Sequence, residues 1–129
     1  MSFKKYILEI GTGIDLHGED ETKAAQRAVR DAIEHVSMVG LRQLFNISSF
    51  EELEKALMVD VTIATPDPDK VNGEAVLDVL PEGNRRINLV KGGLRFPVPS
   101  TSEEARAGGI IVACAVIVVL VDISILGKA

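Results

Sequence analysis

The 129-residue chain has no tryptophan, one tyrosine, two histidines and a single cysteine. With aromatics at 4% against 47% apolar residues, the core must be built from aliphatic side chains, and β-branched runs such as Ile110-Ile111-Val112 suit buried strands. One cysteine cannot form an internal disulfide. Cys114 lies inside an apolar run and reads as a small buried hydrophobe, which points to a reducing, cytoplasmic compartment. Basic residues are outnumbered, 14 against 19 acidic, for a net charge of −5, the wrong sign for a protein that neutralises phosphate backbones, so nucleic acid is excluded as a partner. Long hydrophobic runs are also missing. The longest, Ile110 to Val121, is closed by Asp122 and falls short of the roughly 18 residues that cross a bilayer. The start, Met1 to Lys5, is polar and leads into a strand-like segment interrupted by Glu9, without the apolar stretch of a secretory signal.

The chain does have the length and apolar content of one domain, residues 1–129, with its own core. Phe3 to Ile10 reads as a strand, with Tyr6, Leu8 and Ile10 on one face and Ile7 and Glu9 on the other. From Asp20 to about Val39, the residues Ala24, Ala25, Ala28, Val29, Ala32, Ile33 and Val36 recur at helical spacing, with Asp20 as N-cap and Gly40 as stop. This stripe is mostly alanine, so a neighbouring element can approach closely. Leu41 to Ile47 is predicted as a short strand, and Ser48-Ser49-Phe50-Glu51-Glu52 offers two overlapping capping boxes for a short helix to about Lys55. Leu57 to Ala64 alternates as a strand that Pro66 and Pro68 end. A short helix near Gly73 to Leu80, a turn at Pro81-Glu82-Gly83-Asn84 and a strand from Arg86 to Val90 follow. Lys91-Gly92-Gly93 interrupts that strand, Ser100 to Arg106 reads as a loop with one helical turn, and Gly109 to Asp122 is a strand apolar on both faces. The order predicts an α+β fold, a ferredoxin-like sheet with helices on one face.

Between the first strand and the long helix stands Gly11-Thr12-Gly13-Ile14-Asp15-Leu16-His17-Gly18. Gly11, Gly13 and Gly18 allow a tight turn and the close approach of a ligand or another chain. Asp15 and His17 are two apart and share a side if the backbone is extended, so they suit a metal-binding pair or a carboxylate-oriented imidazole in acid/base work. The helix start near Asp20 adds free N–H groups that favour an anion, against the local charge of Glu19, Asp20 and Glu21. The segment lacks the Lys-Ser/Thr of a phosphate-binding P-loop and the third glycine of a dinucleotide motif. In the alternative reading, the glycines shape a turn, Asp15 caps a backbone N–H and His17 packs at the surface.

This segment, with Lys23-Ala24-Ala25 and Ala28-Val29-Arg30-Asp31-Ala32-Ile33 after it, resembles the small "Lin-type" family of conserved hypothetical proteins, whose hallmark is G-x-G-x-D-x-H-G near the N-terminus. The resemblance extends to Pro66 through Pro81 and to Gly92-Gly93, and it implies no particular activity. A narrower similarity, confined to the motif, is to methylerythritol cyclodiphosphate synthase. It implies a divalent metal held by Asp15 and His17, with His35 as the third ligand; the downstream metal pattern of that enzyme is absent.

Further candidates are Glu9, two residues before Gly11 and able to face the same site, and Lys91 and Arg95, two cations around a glycine pair that suit an anionic substrate. Each has a plain counterpart: Glu9 as an exposed strand residue, His35 as a boundary histidine, and the basic pair as solvated residues at a glycine bulge. The leading expectation is a site for a small polar or anionic metabolite at the glycine-rich turn, with metal-assisted or acid/base hydrolase or lyase chemistry. The rival is a non-catalytic homo-oligomer in which the glycines are structural.

Overall fold

The computed structural model describes residues 2–37, 39–44, 47, 49–81, 84–98 and 109–126. The expected loop at Ser100 to Arg106 and the centre of the turn at Pro81 to Asn84 lie outside the described residues. Five strands form one sheet: β1 (Phe3–Asp15), β2 (Leu57–Thr65), β3 (Asn84–Lys91), β4 (Leu94–Phe96) and β5 (Ile110–Asp122). The helices are α1 (Glu21–Glu34), α2 (Val39–Leu44), α3 (Phe50–Ala56), α4 (Gly73–Leu77) and α5 (Ile123–Leu126), with a 3-10 turn at Pro68–Lys70.

The strand order is β1-β5-β2-β3. β5 runs antiparallel to both of its long neighbours, and β2 and β3 are parallel. β1, α1 and β2 thus make a split β-α-β unit with β5 inserted between the strands, whereas β2, α4 and β3 make a unit of adjacent strands. β4 continues the β2 edge, pairing with β5 from Ile110 to Val112. The run that is apolar on both faces therefore occupies the middle of the sheet, a setting that suits its composition. Because β1, β2 and β3 all point the same way, their carboxyl ends gather at one end of the sheet with the start of β5.

The odd-numbered residues of β1, β2 and β5 face the helices. Val61, Ile63, Ala113, Ala115 and Ile117 are at most 1% exposed and pack with Ala24, Ala25, Ala28 and Val29 of α1. Asp20 caps α1 as expected, its side chain accepting from the Lys23 N–H at 2.9 Å, and Ser49 caps α3 through the Glu52 N–H at 3.1 Å.

Three boundaries differ from the sequence reading. β1 continues to Asp15, through the expected turn, because its pairing with β5 holds to Asp15↔Ile111. α1 ends at Glu34, with His35 as C-cap, so Val39 and Gly40 belong to α2. The predicted strand at Leu41 to Ile47 is helical to Leu44. Leu41-Arg42-Gln43-Leu44 are good helix formers, and their local preference outweighs a two-residue alternation too short to decide. Among the described residues no helix is long and apolar enough to cross a membrane.

Candidate functional site

Gly11 and Gly13 are the contact on which α1 rests. A Cβ on Gly13 would lie 2.0 Å from the Ala24 carbonyl oxygen and 2.2 Å from the Ala28 nitrogen, and one on Gly11 would lie 2.2 Å from the Ala28 carbonyl oxygen. The space at these two positions is filled by helix backbone, so Gly11 and Gly13 are structural, but as strand residues under α1 and not as the turn expected from the sequence. Gly18, at φ +86° with open space around it, forms the actual turn.

Asp15 is the last residue of β1, 4% exposed. One of its oxygens, Oδ2, accepts from the Asp20 N–H at 2.8 Å and closes the loop between β1 and α1. The other, Oδ1, faces Arg27 Nη1 at 3.5 Å, and the same guanidinium nitrogen donates to the Ile14 carbonyl at 2.6 Å. The carboxylate thus steadies the turn and the arginine, and the His17 ring is not its partner. His17 is exposed, yet both residues line one groove of about 380 Å³ with Ile14, Leu16, Lys23 and Arg27. Lys23 and Arg27, four apart on α1, present their cations on the same side. The sequence reading missed both; their spacing from Asp20 on a well-marked helix was the available signal.

The other candidates lie elsewhere. His35, at the far end of α1 and about 20 Å from its start by helical rise, faces Asp31 at 3.5 Å. No group of three His, Cys, Asp or Glu side chains suited to a metal ion occurs among the described residues. Asp15, committed to an N–H and an arginine, offers a poor donor set for a cation. Lys91 is exposed at the end of β3. Arg95, on β4, pairs with Glu19. Glu19, held at φ +50°, also accepts from the Gly109 N–H at 2.7 Å. That backbone bond first, and then Arg95, holds its carboxyl below the ordinary range. Glu19 therefore ties the β1–α1 turn to β4 and to the start of β5. Beside it Glu21, 4% exposed, accepts from the Asp67 N–H at 2.7 Å with its second oxygen unpaired. Desolvation raises its pKa.

Glu9 is 6% exposed on the helix side of β1, with Oε2 buried and unpaired. Burial raises its pKa above the ordinary 4.5. A folded pKa above the unfolded one means that the destabilisation is absent below the ordinary glutamate range and develops as pH rises through the folded value. Glu9→Gln should therefore raise stability at pH 7 by about 1 kcal/mol or more, because the amide, though still polar, carries no charge to desolvate, with the advantage gone in acid. Thermal melts of both proteins at pH 4 and pH 7 check this; equal melting temperatures at pH 7 would mean that the ionised carboxylate is already compensated.

The chain belongs to the conserved hypothetical protein family Lin0512_fam, which matches residues 5–119. The crystal structure of an FtsZ-like protein of unknown function from Nostoc punctiforme is similar, with 33% identity and a TM-score of 0.80 over 95% of this chain and 98% of that one. The bifunctional IspDF of Campylobacter jejuni aligns with 94% of this chain and 43% of its own at 11% identity and a TM-score of 0.28, a level that supports neither a shared fold nor a shared chemistry. Among curated proteins none matches.

Proposed function

We propose that the groove at the carboxyl end of β1 binds a small anionic metabolite, with Lys23 and Arg27 as countercharges and His17 at its mouth as the proton donor or acceptor of a hydrolase or lyase-type step. The observation that carries this reading is the pair of cations on one helical strip, one of them steadied by the buried Asp15 carboxylate and the Ile14 carbonyl. A positioned guanidinium is suited to carboxylate and phosphate groups, and an exposed imidazole beside it can exchange a proton with the bound molecule. Asp15 acts through Arg27 as a positioning residue.

The test is a titration with inorganic phosphate and with citrate, followed through the imidazole resonances of His17. A saturable shift is expected, weakened about tenfold or more in Arg27→Ala, in keeping with the loss of a charge-assisted contact. A response that never saturates, or one equal in Arg27→Ala, would remove the proposal.

A second reading is favoured by one specific observation: on the sheet face opposite the helices the β1–β5 half is apolar and open, while Asp60, Arg86 and Asn88 make the β2–β3 half polar. Leu8 is 62% exposed, Ile10 69% and Ile14 45% on β1, beside Val116 at 36% on β5. A patch of this kind is unusual for a soluble monomer, and a second copy of the chain offers a matching surface. Association through this face, in a cytoplasmic setting suited to the reduced Cys114, is compatible with the groove reading. Light scattering at micromolar concentration measures it, and a monomer mass would exclude it.

A further inference from the structure

On the helix side of the sheet, at the end away from the groove, lies a cavity of about 590 Å³. Its walls come from every layer of the fold: Ile33 of α1, Leu41 of α2, Leu53 of α3, Val59 of β2, Ile117 of β5, and Leu80 after α4. The cavity opens to solvent past Val36 and Val39, which are exposed, and its volume falls within the range, about 300–1,000 Å³, of sites for small molecules. Its lining is mostly aliphatic, with Ser37 and Gln43 as uncharged polar members.

Among the described residues, Glu9 is the one charged group in that lining. The residue is 6% exposed, Oε2 has no hydrogen-bond partner, and Glu9 takes part in none of the ion pairs among the described residues. Buried carboxylates are ordinarily paired, and each exception calls for a reason. The position is not an extension of the groove. Glu9 precedes Asp15 by six residues on β1, about 20 Å along an extended strand, and the contact of Gly11 and Gly13 with α1 stands between them.

We infer that this cavity is a second ligand site, which takes a small apolar molecule carrying one amino group, with the ammonium donating to the unpaired Glu9 oxygen and the hydrocarbon body filling the aliphatic space. The complementarity is of charge as well as shape. An anion meets the carboxylate unfavourably, and the described lining supplies no cation to offset it. A neutral alcohol fills the volume but leaves the charge uncompensated. An amine brings the missing countercharge into a low-dielectric surrounding, where the pair is strong once both partners are held.

The experiment is calorimetric titration of the full chain with n-octylamine and, as its neutral counterpart, octan-1-ol. Octylamine is expected to bind saturably and about tenfold or more tighter than octanol. Glu9→Gln keeps the shape of the side chain and should bring the two affinities together while octanol binding persists. Leu53→Trp, which fills the cavity from α3, should abolish both, its fold confirmed by circular dichroism. No saturable binding of either compound, equal affinities in the parent chain, or a preference for octylamine that survives Glu9→Gln would each overturn the inference. Failure of phosphate or citrate binding in Arg27→Ala bears only on the groove.

Discussion

Gly13→Ala should cost the protein about 3 kcal/mol or more, a large part of the 5–15 kcal/mol by which a domain of this kind is stable. The reason is the direction of the added methyl. It would sit 2.0 Å from the Ala24 carbonyl oxygen and 2.2 Å from the Ala28 nitrogen, both of them helix backbone, which cannot turn aside as a flexible side chain would. α1 must lift from β1, and every apolar contact between them weakens together. Gly18→Ala is the internal control. Gly18 has φ +86° but nothing within 4 Å of a new Cβ, so only the backbone penalty of a left-handed residue remains, about 1 kcal/mol. Urea titrations of the two variants should differ by at least 2 kcal/mol on this argument; equal midpoints would mean that α1 does not rest on the Gly11–Gly13 surface.

The second large effect is on association. Ile10→Asp places a carboxylate at a position 69% exposed in the single chain, flanked on the same face by Leu8 and Val116. In the free chain the new side chain reaches water, so the fold should be retained. In a self-association through this face the charge would be buried against apolar side chains without a partner, a loss of several kcal/mol counted twice in a two-fold interface. The expected result is a parent chain that runs as a homo-oligomer and a variant that runs as a monomer with unchanged circular dichroism. A variant that keeps the parent mass would place the interface elsewhere, and the open face would need another explanation.

The groove and the cavity differ in how visible they were beforehand. Asp15 and His17 stand out as residue types two apart in a glycine-rich segment, and they do share a groove. Their expected partnership does not arise, because Asp15 is already engaged by the Asp20 N–H and by Arg27. Arg27 escapes notice in the sequence because one arginine on an amphipathic helix is ordinary; only the return of α1 along β1 brings it back to the strand's end. Glu19 and Glu21 likewise read only as local negative charge at the helix start, whereas they bridge to Arg95, Gly109 and Asp67 across distances no local pattern reports.

What the sequence determined by itself is local and periodic. The alanine stripe and Asp20 specify α1, Ser49 with Glu52 starts α3, the alternation from Leu57 gives β2, and the run apolar on both faces calls for a central strand or a subunit interface, of which β5 takes the central place. These follow from helix capping and from side-chain periods of 3.6 and 2, properties that need no distant partner. The tertiary structure decided which face of β1 turns inward. By hydrophobicity Leu8 and Ile10 belong in the core and Glu9 outside it, but Gly11 and Gly13 leave the room on β1 into which the α1 backbone packs. Residues of the same parity must share their side of the sheet, so Glu9 is carried into the cavity with the glycines and Leu8 and Ile10 are left on the open face.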